Sequence, residues 1–77
     1  MQCFICDQPA TDVPETQGGR LVNCAGCGWY KISGTALHLM HEHVRVFNIP
    51  RSRDWLDLQR ENGIAQPLIQ GDTNLWD

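Results

Sequence analysis

The chain has 77 residues, a formal net charge of −3 and 42% hydrophobic residues. Burial of apolar surface stabilises a domain of this size only marginally, so a disulfide or a metal ion is expected to supplement its small core. No apolar run approaches the roughly 20 residues that cross a bilayer, and the N-terminus lacks the pattern of a secretory signal, so we expect a cytoplasmic protein without a membrane segment.

Two Cys-x-x-Cys pairs, separated by seventeen residues, lie within the first 27 residues of the chain. Two residues between ligands let a tight turn aim both sulfurs at one ion, and two such turns supply the four thiolates that zinc prefers. A reduced cell interior disfavours two disulfides, whereas iron in a four-thiolate site of rubredoxin type stays an alternative. The pattern predicts one structural Zn²⁺ per chain, with no position left for water or substrate, held by Cys3, Cys6, Cys24 and Cys27.

The cysteine pairs bracket residues 7–23, a segment rich in turn-forming residues. We expect this segment to be a loop that leads into a short strand at its end. Residues 20–23 have the composition of a short strand, and residues 29–32, aromatic and β-branched, of its return partner. Together they predict a hairpin with the metal at its tip. Gly28, directly after the last ligand, permits a positive backbone angle there.

A helix is predicted to start at Ser33 or Thr35, whose hydroxyls can cap it, and to run to about Phe47. Its apolar side chains cover about half of the helical cylinder, which indicates contacts on two sides, with the hairpin and with either a second helix or another chain. The apolar arc comprises Ala36, Leu37, Met40, Val44 and Phe47, widened by Leu39, His43 and Val46.

Pro50 is expected to end this stretch, and Ser52 to cap a second helix over residues 53–62 that stops at Gly63. Trp55, Leu56 and Leu58 are expected to face inward, and Arg60 and Glu61 outward. Three apolar residues extend the core after the turn, namely Ile64, Leu68 and Ile69. Residues 71–77 have the composition of a frayed tail. Its Trp76 either docks into a partner's groove or folds back on the protein's own core.

The segment Cys-Ala-Gly-Cys-Gly-Trp-Tyr-Lys-Ile-Ser-Gly-Thr-Ala, residues 24–36, resembles the second knuckle of the zinc-ribbon, rubredoxin-like superfamily. It is most similar to short, uncharacterised bacterial zinc ribbons, and Trp55, Gly63 and Pro67 match the Trp-bearing helix and Gly-x-x-x-Pro that follow in that group. The resemblance implies a fold and no activity. The expected fold is small α+β, a four-cysteine zinc ribbon followed by two helices. It forms one domain, with the ribbon at 1–34, a helical extension at 35–70 and a tail at 71–77.

Three histidines on the first predicted helix suggest a further site. His38 and His41 share the polar face with Glu42, which fits either a second metal site or two solvated side chains, and His43 falls on the apolar arc. Arg45, Arg51 and Arg53 surround the junction of the two helices. They form either a phosphate-binding patch or an ordinary mixed surface.

These features predict a non-catalytic module that mediates protein–protein interaction or regulation, of which self-association is the simplest version. Nucleic-acid binding through Arg45, Arg51 and Arg53 is a second hypothesis, although the net negative charge disfavours it. A rubredoxin-like iron electron carrier is the third. No residue pattern indicates a small-molecule substrate, and we expect the protein not to be an enzyme.

Overall fold

The computed structural model describes residues 1–15, 18–42 and 45–77. In these parts of the chain, four strands form one sheet and two helices pack against it. The elements are, in chain order, β1 (Ala10–Pro14), β2 (Arg20–Cys24), β3 (Gly28–Ile32), α1 (Gly34–Glu42), α2 (Ile49–Glu61) and β4 (Leu68–Ile69).

The first three strands form an antiparallel meander, and the predicted hairpin is confirmed as β2 and β3, with Val22 opposite Tyr30 and Cys24 opposite Gly28. The prediction of a loop before this hairpin is wrong in part, because residues 10–14 form the edge strand β1, with Thr11 opposite Asn23. Prolines are tolerated at a sheet edge, where the missing N–H breaks no ladder bond. Pro14 is therefore compatible with a strand at this position and forms its last residue.

The predicted order of a zinc ribbon followed by two helices lacks one element, because a fourth strand, β4, returns to the sheet after α2. It pairs in parallel with β3, with Lys31 opposite Leu68 and Ile32 opposite Ile69. Ile69 is fully buried, as expected, but Ile64 and Leu68 are exposed. Only one of the two residues in this strand faces the core because successive strand side chains point to opposite faces.

Helix α1 begins as predicted, with the Ser33 hydroxyl accepting a hydrogen bond from the Ala36 amide at 3.1 Å. It ends at Glu42, earlier than the expected Phe47. Residues 45 and 46 are not helical, and Phe47 instead forms a β-bridge with Trp76. On the apolar arc, Ala36 is buried and Leu37 and Met40 pack on the core. His43 and Val44 lie outside the described residues.

Helix α2 begins four residues before the predicted start, and its N-cap is Asn48, not Ser52. The Asn48 side chain accepts from the Arg51 amide at 3.0 Å, and Pro50 occupies the first turn. Proline suits this position because its fixed φ matches the helix and its missing N–H would have no partner there. Ser52 is consequently buried inside the helix. The end near Gly63 is confirmed, with Gly63 at φ 89°.

The C-terminal residues are not frayed. Leu75 is 3% exposed, and Trp76 stacks on Phe47 with ring centroids 4.5 Å apart. The Asn48 amide donates to the Leu75 carbonyl and the Asp77 amide to the Val46 carbonyl, each at 2.8 Å. The alternative in which Trp76 folds back on the protein's own core is therefore correct.

The core lies between the inner sheet face and the helices. Its fully buried side chains include Tyr30 and Ile32 from β3, Leu56 from α2, and Ile69. Leu58, expected to face inward, is 53% exposed on the opposite side of α2. Within the described ranges, neither helix combines the length and the apolar character needed to cross a membrane.

Candidate metal centre

All four cysteine sulfurs converge at one end of the sheet. Cys3 and Cys6 lie on the turn that precedes β1, Cys24 ends β2, and Cys27 directly precedes β3. The Cys6 and Cys24 sulfurs are 3.5 Å apart, those of Cys3 and Cys27 are 3.9 Å apart, and all four lie within 4.8 Å of one another. The two pairs, distant in sequence, thus form a single cluster able to hold a metal ion.

The spacing of the sulfurs fits one tetrahedral ion. Zinc–sulfur bonds of about 2.3 Å hold the sulfurs of a tetrahedral site roughly 3.8 Å apart. Two of the six distances between the sulfurs, 3.5 and 3.9 Å, bracket this value, and none of the six exceeds 4.8 Å, so binding would draw some of the sulfurs closer together. A disulfide requires sulfurs only about 2.05 Å apart, and all four cysteines are free thiols in the structure. The geometry therefore favours metal ligation over disulfide pairing.

The two turns that carry the ligands share a backbone feature. Asp7 follows Cys6 with φ 63°, and Gly28 follows Cys27 with φ 82°. The left-handed conformation suits glycine, and aspartate tolerates it better than most residues. In the first turn the Asp7 amide donates to the Cys3 carbonyl at 3.0 Å, and the Ile5 amide donates to the Cys3 sulfur at 3.4 Å. The backbone thus closes the turn and directs an N–H group at a ligand.

Burial and hydrogen bonding shift the pKa values of the cysteine thiols in different directions. It raises the pKa of Cys27 to about 12, although the Arg53 hydrogen bond opposes the shift, and it also raises the pKa of Cys3. For Cys6, burial is outweighed by hydrogen bonds from the Gln8 backbone and the neighbouring cysteines, which lower its pKa to about 7. Four thiols packed this closely do not all ionise on their own, because each thiolate repels the next. A bound cation removes this restriction by stabilising every thiolate.

Tyr30 is a site residue that the sequence analysis did not identify. Its fully buried hydroxyl oxygen lies 3.2 Å from the Cys3 sulfur and accepts a hydrogen bond from the Phe4 amide at 3.2 Å. Because a backbone N–H can only donate, the hydroxyl proton is left to point at the sulfur. Burial, followed by the contact with Cys3, raises the pKa of Tyr30, so the phenol stays protonated as a donor.

Two arginines of α2 also reach the second cysteine turn. Arg53 donates from Nε to the Cys27 sulfur at 3.5 Å. Arg60 donates from Nη2 to the Cys27 carbonyl at 2.6 Å and to the Trp29 carbonyl at 2.9 Å. The expectation that Arg60 faces outward is wrong. Residues seven apart lie on the same face of a helix, so Arg60 lies on the face of α2 that carries Arg53.

Two of the three arginines of the suggested patch lie near Trp76, and the third lies on the sulfur cluster. Arg53 contacts the sulfur cluster, whereas Arg51 donates to the Trp76 carbonyl at 3.4 Å. The Arg45 guanidinium lies 5.8 Å from the centre of the Trp76 ring. Arg45 and Arg51 thus share one exposed region beside Trp76, while Arg53 lies elsewhere, and phosphate binding by these residues stays a prediction.

The histidines form no second metal site in the described part of the chain, where the four cysteines are the only group of metal-ligating side chains that comes together. His38 and His41 are exposed on α1, as is Glu42, which agrees with the solvated alternative. His43 lies outside the described residues, so its expected position on the apolar arc stays a prediction.

Comparison of the chain with protein-family models, with curated proteins and with solved structures yields no match in any of the three. The resemblance to zinc ribbons therefore rests on the cysteine spacing and on the geometry of the four sulfurs.

Proposed function

We propose that this protein is a non-catalytic zinc module in which one Zn²⁺, bound by Cys3, Cys6, Cys24 and Cys27, organises a surface for a protein partner. The observation that carries the first half of the proposal is the cluster of four sulfurs within 4.8 Å. Four thiolates in tetrahedral arrangement are the donor set typical of structural zinc. Iron accepts the same donors and is the competing ion.

The donor set argues against catalysis by the metal. A catalytic zinc site keeps one position for water or substrate, whereas four protein sulfurs fill the coordination sphere. The sulfurs of Cys3, Cys24 and Cys27 are also in buried residues. The ion would therefore stabilise the fold and leave the binding function to the surrounding surface.

The surface that best suits a partner is an open groove of about 720 Å³ between the first cysteine turn and α1. Its floor includes Phe4, Leu37 and Met40, which pack on the core and remain partly exposed. Exposed Met1 and Val46 flank it. The groove thus exposes part of the α1 apolar arc, namely Leu37 and Met40.

The net charge of the chain favours a basic partner over a second copy of the chain. In the groove itself, Asp7 and Asp12 lie beside Arg20, which pairs with Asp12 at 3.7 Å, and beside the Met1 ammonium group and His41. Ionising four thiols and binding one divalent ion would take the whole chain from −3 to about −5, so two copies repel each other. The same charge weakens the nucleic-acid hypothesis. We therefore propose that the occupant is a partner segment with an apolar side chain next to Lys or Arg.

Metal analysis of the purified protein tests the first half of the proposal. We expect one zinc per chain and a colourless protein. A coloured, redox-active protein with one iron per chain would instead support the electron-carrier hypothesis, and a chain without any bound metal would contradict both.

A display selection from random peptides tests the second half. We expect the selected peptides to combine an apolar side chain with Lys or Arg, and to lose binding to a Met40→Asp variant. Val13→Asp is the matched control, since Val13 is exposed on β1 outside the groove. Peptides that bind the Met40→Asp variant as well as they bind the wild type would exclude the groove.

A further inference from the structure

Arg53 connects the second helix directly to a cysteine ligand. Its Nε donates to the Cys27 sulfur at 3.5 Å across 26 residues of sequence. A guanidinium stays protonated in proteins, so the side chain is a permanent cation beside the sulfur. The contact therefore joins an element that contributes no ligand to the centre of the candidate metal site.

The glycines of the second cysteine turn leave room for the arginines of α2. A Cβ atom added at Gly26 would lie 2.7 Å from Nη2 of Arg53, and one added at Gly28 would lie 2.6 Å from Nη2 of Arg60. Gly28 also needs its positive φ, but Gly26 does not have one. A methyl group at Gly26 would therefore displace the end of the Arg53 side chain from its position.

The charge of a loaded site gives this contact its effect. Four thiolates around one divalent ion leave about two negative charges, which a cation at hydrogen-bond distance partly offsets. Groups that hydrogen-bond to metal ligands typically change metal affinity about 10- to 100-fold. Because binding free energies are reciprocal, any factor by which docked α2 strengthens metal binding is also the factor by which the metal strengthens α2 docking.

We propose that Arg53 is a positioning residue of the metal site that makes zinc retention depend on the docking of α2, an inference that rests on the proposed zinc site. Arg53 holds the Cys27 thiolate, and Gly26 makes the approach possible.

The rate of zinc transfer from the intact protein to a chromophoric chelator tests this proposal. We expect Arg53→Gln to release zinc about 10- to 100-fold faster than the wild type, and Arg53→Lys, which keeps the charge, to recover part of the loss. Gly26→Ala should act in the same direction while leaving every ligand and Arg53 in place. Arg51→Gln is the matched control, because it removes the same charge from the same helix away from the sulfurs.

Substitution of zinc by Co²⁺ supplies a readout that a general loss of stability would not change. The thiolate-to-cobalt charge-transfer band should shift in Arg53→Gln and stay unchanged in Arg51→Gln. If Arg53→Gln fails to fold, Gly26→Ala still tests the proposal, because the added methyl group needs to displace only the end of a flexible side chain.

Wild-type release rates in both Arg53→Gln and Gly26→Ala, or an equal effect of Arg51→Gln, would overturn the inference. A wild-type protein that binds no zinc would refute the proposed function itself. Normal zinc content with unchanged release from the Arg53 variant would refute only the role of Arg53.

Discussion

Replacing Tyr30 by Phe removes one oxygen atom from the centre of the protein and leaves the packed ring in place. That oxygen makes two contacts at 3.2 Å, one with the Cys3 sulfur and one with the Phe4 amide. The substitution therefore takes a hydrogen-bond donor away from a candidate metal ligand and an acceptor away from the backbone next to it.

The expected cost follows from these two contacts. A hydrogen bond to a charged acceptor contributes about 1.5–3 kcal/mol, and the Cys3 sulfur carries negative charge when it binds an ion. The Phe4 amide belongs to a half-buried residue and regains water in the variant, so its loss adds little. We expect Tyr30→Phe to lower the free energy of unfolding by about 2 kcal/mol, and the melting temperature by about 8–16 °C for a domain of this size.

Urea denaturation of the zinc-loaded protein, followed by circular dichroism, measures this difference. Trp29→Phe is the control, because Trp29 is an exposed aromatic residue on the same strand, and successive strand side chains point to opposite faces. An unfolding free energy of Tyr30→Phe equal to that of the wild type would show that the hydroxyl does not stabilise the Cys3 thiolate.

Three further predictions concern the metal, the C-terminus and the second helix. Chelation of the metal should abolish the cooperative thermal transition, because metal-binding free energy is folding free energy in small metal-dependent domains; a transition that survives metal removal, recorded by circular dichroism, would refute this. Trp76→Ala should lower the unfolding free energy in urea by about 2 kcal/mol by removing the half-buried ring stacked on Phe47, and an unchanged value would mean that the C-terminus contributes nothing. Ser52→Ala should raise that free energy by about 0.5–1.5 kcal/mol, because the buried hydroxyl has no hydrogen-bond partner among the described residues and alanine is the better helix former. A loss of stability in Ser52→Ala would reveal a partner for the hydroxyl.

The sequence predicted the features that local spacing determines. Each Cys-x-x-Cys pair and the β2–β3 hairpin depend on residues within a few positions of each other, as does the Ser33 cap of α1. Each has its own chemical signal, whether a ligand spacing, a pair of β-branched strands or a capping hydroxyl. Such features need no knowledge of how the chain closes on itself.

The start of α2 was mispredicted although its signal was present. Both Asn48 and Ser52 are residue types that cap helices, and Pro50 was interpreted as the end of the preceding helix. Proline in the first turn, two residues after an asparagine, is equally typical of a helix start. The buried position of Ser52, which only the packed structure reveals, decides between these two interpretations.

Contacts between distant segments could not be predicted from local patterns. Tyr30 contacts Cys3 across 27 residues, and Arg60 contacts Cys27 across 33. Strand β4 is only two residues long, too short for any periodic signal, and it is defined by its pairing with β3. In each case the partner, and not the neighbouring sequence, determines the role of the residue.

The arginines illustrate that basic residues close in sequence need not share one surface. Arg53 lies on Cys27, while Arg51 and Arg45 contact Trp76. In the proposed zinc-loaded site, four thiolates around one divalent ion would leave a net negative charge that the Arg53 guanidinium partly offsets. Among the residues that the structure describes, Arg45 and Arg51 contact only a neutral carbonyl and a ring, so they remain exposed cations. Two exposed arginines in a net-acidic chain are fewer than a nucleic acid usually meets, which supports a basic protein segment as the proposed partner.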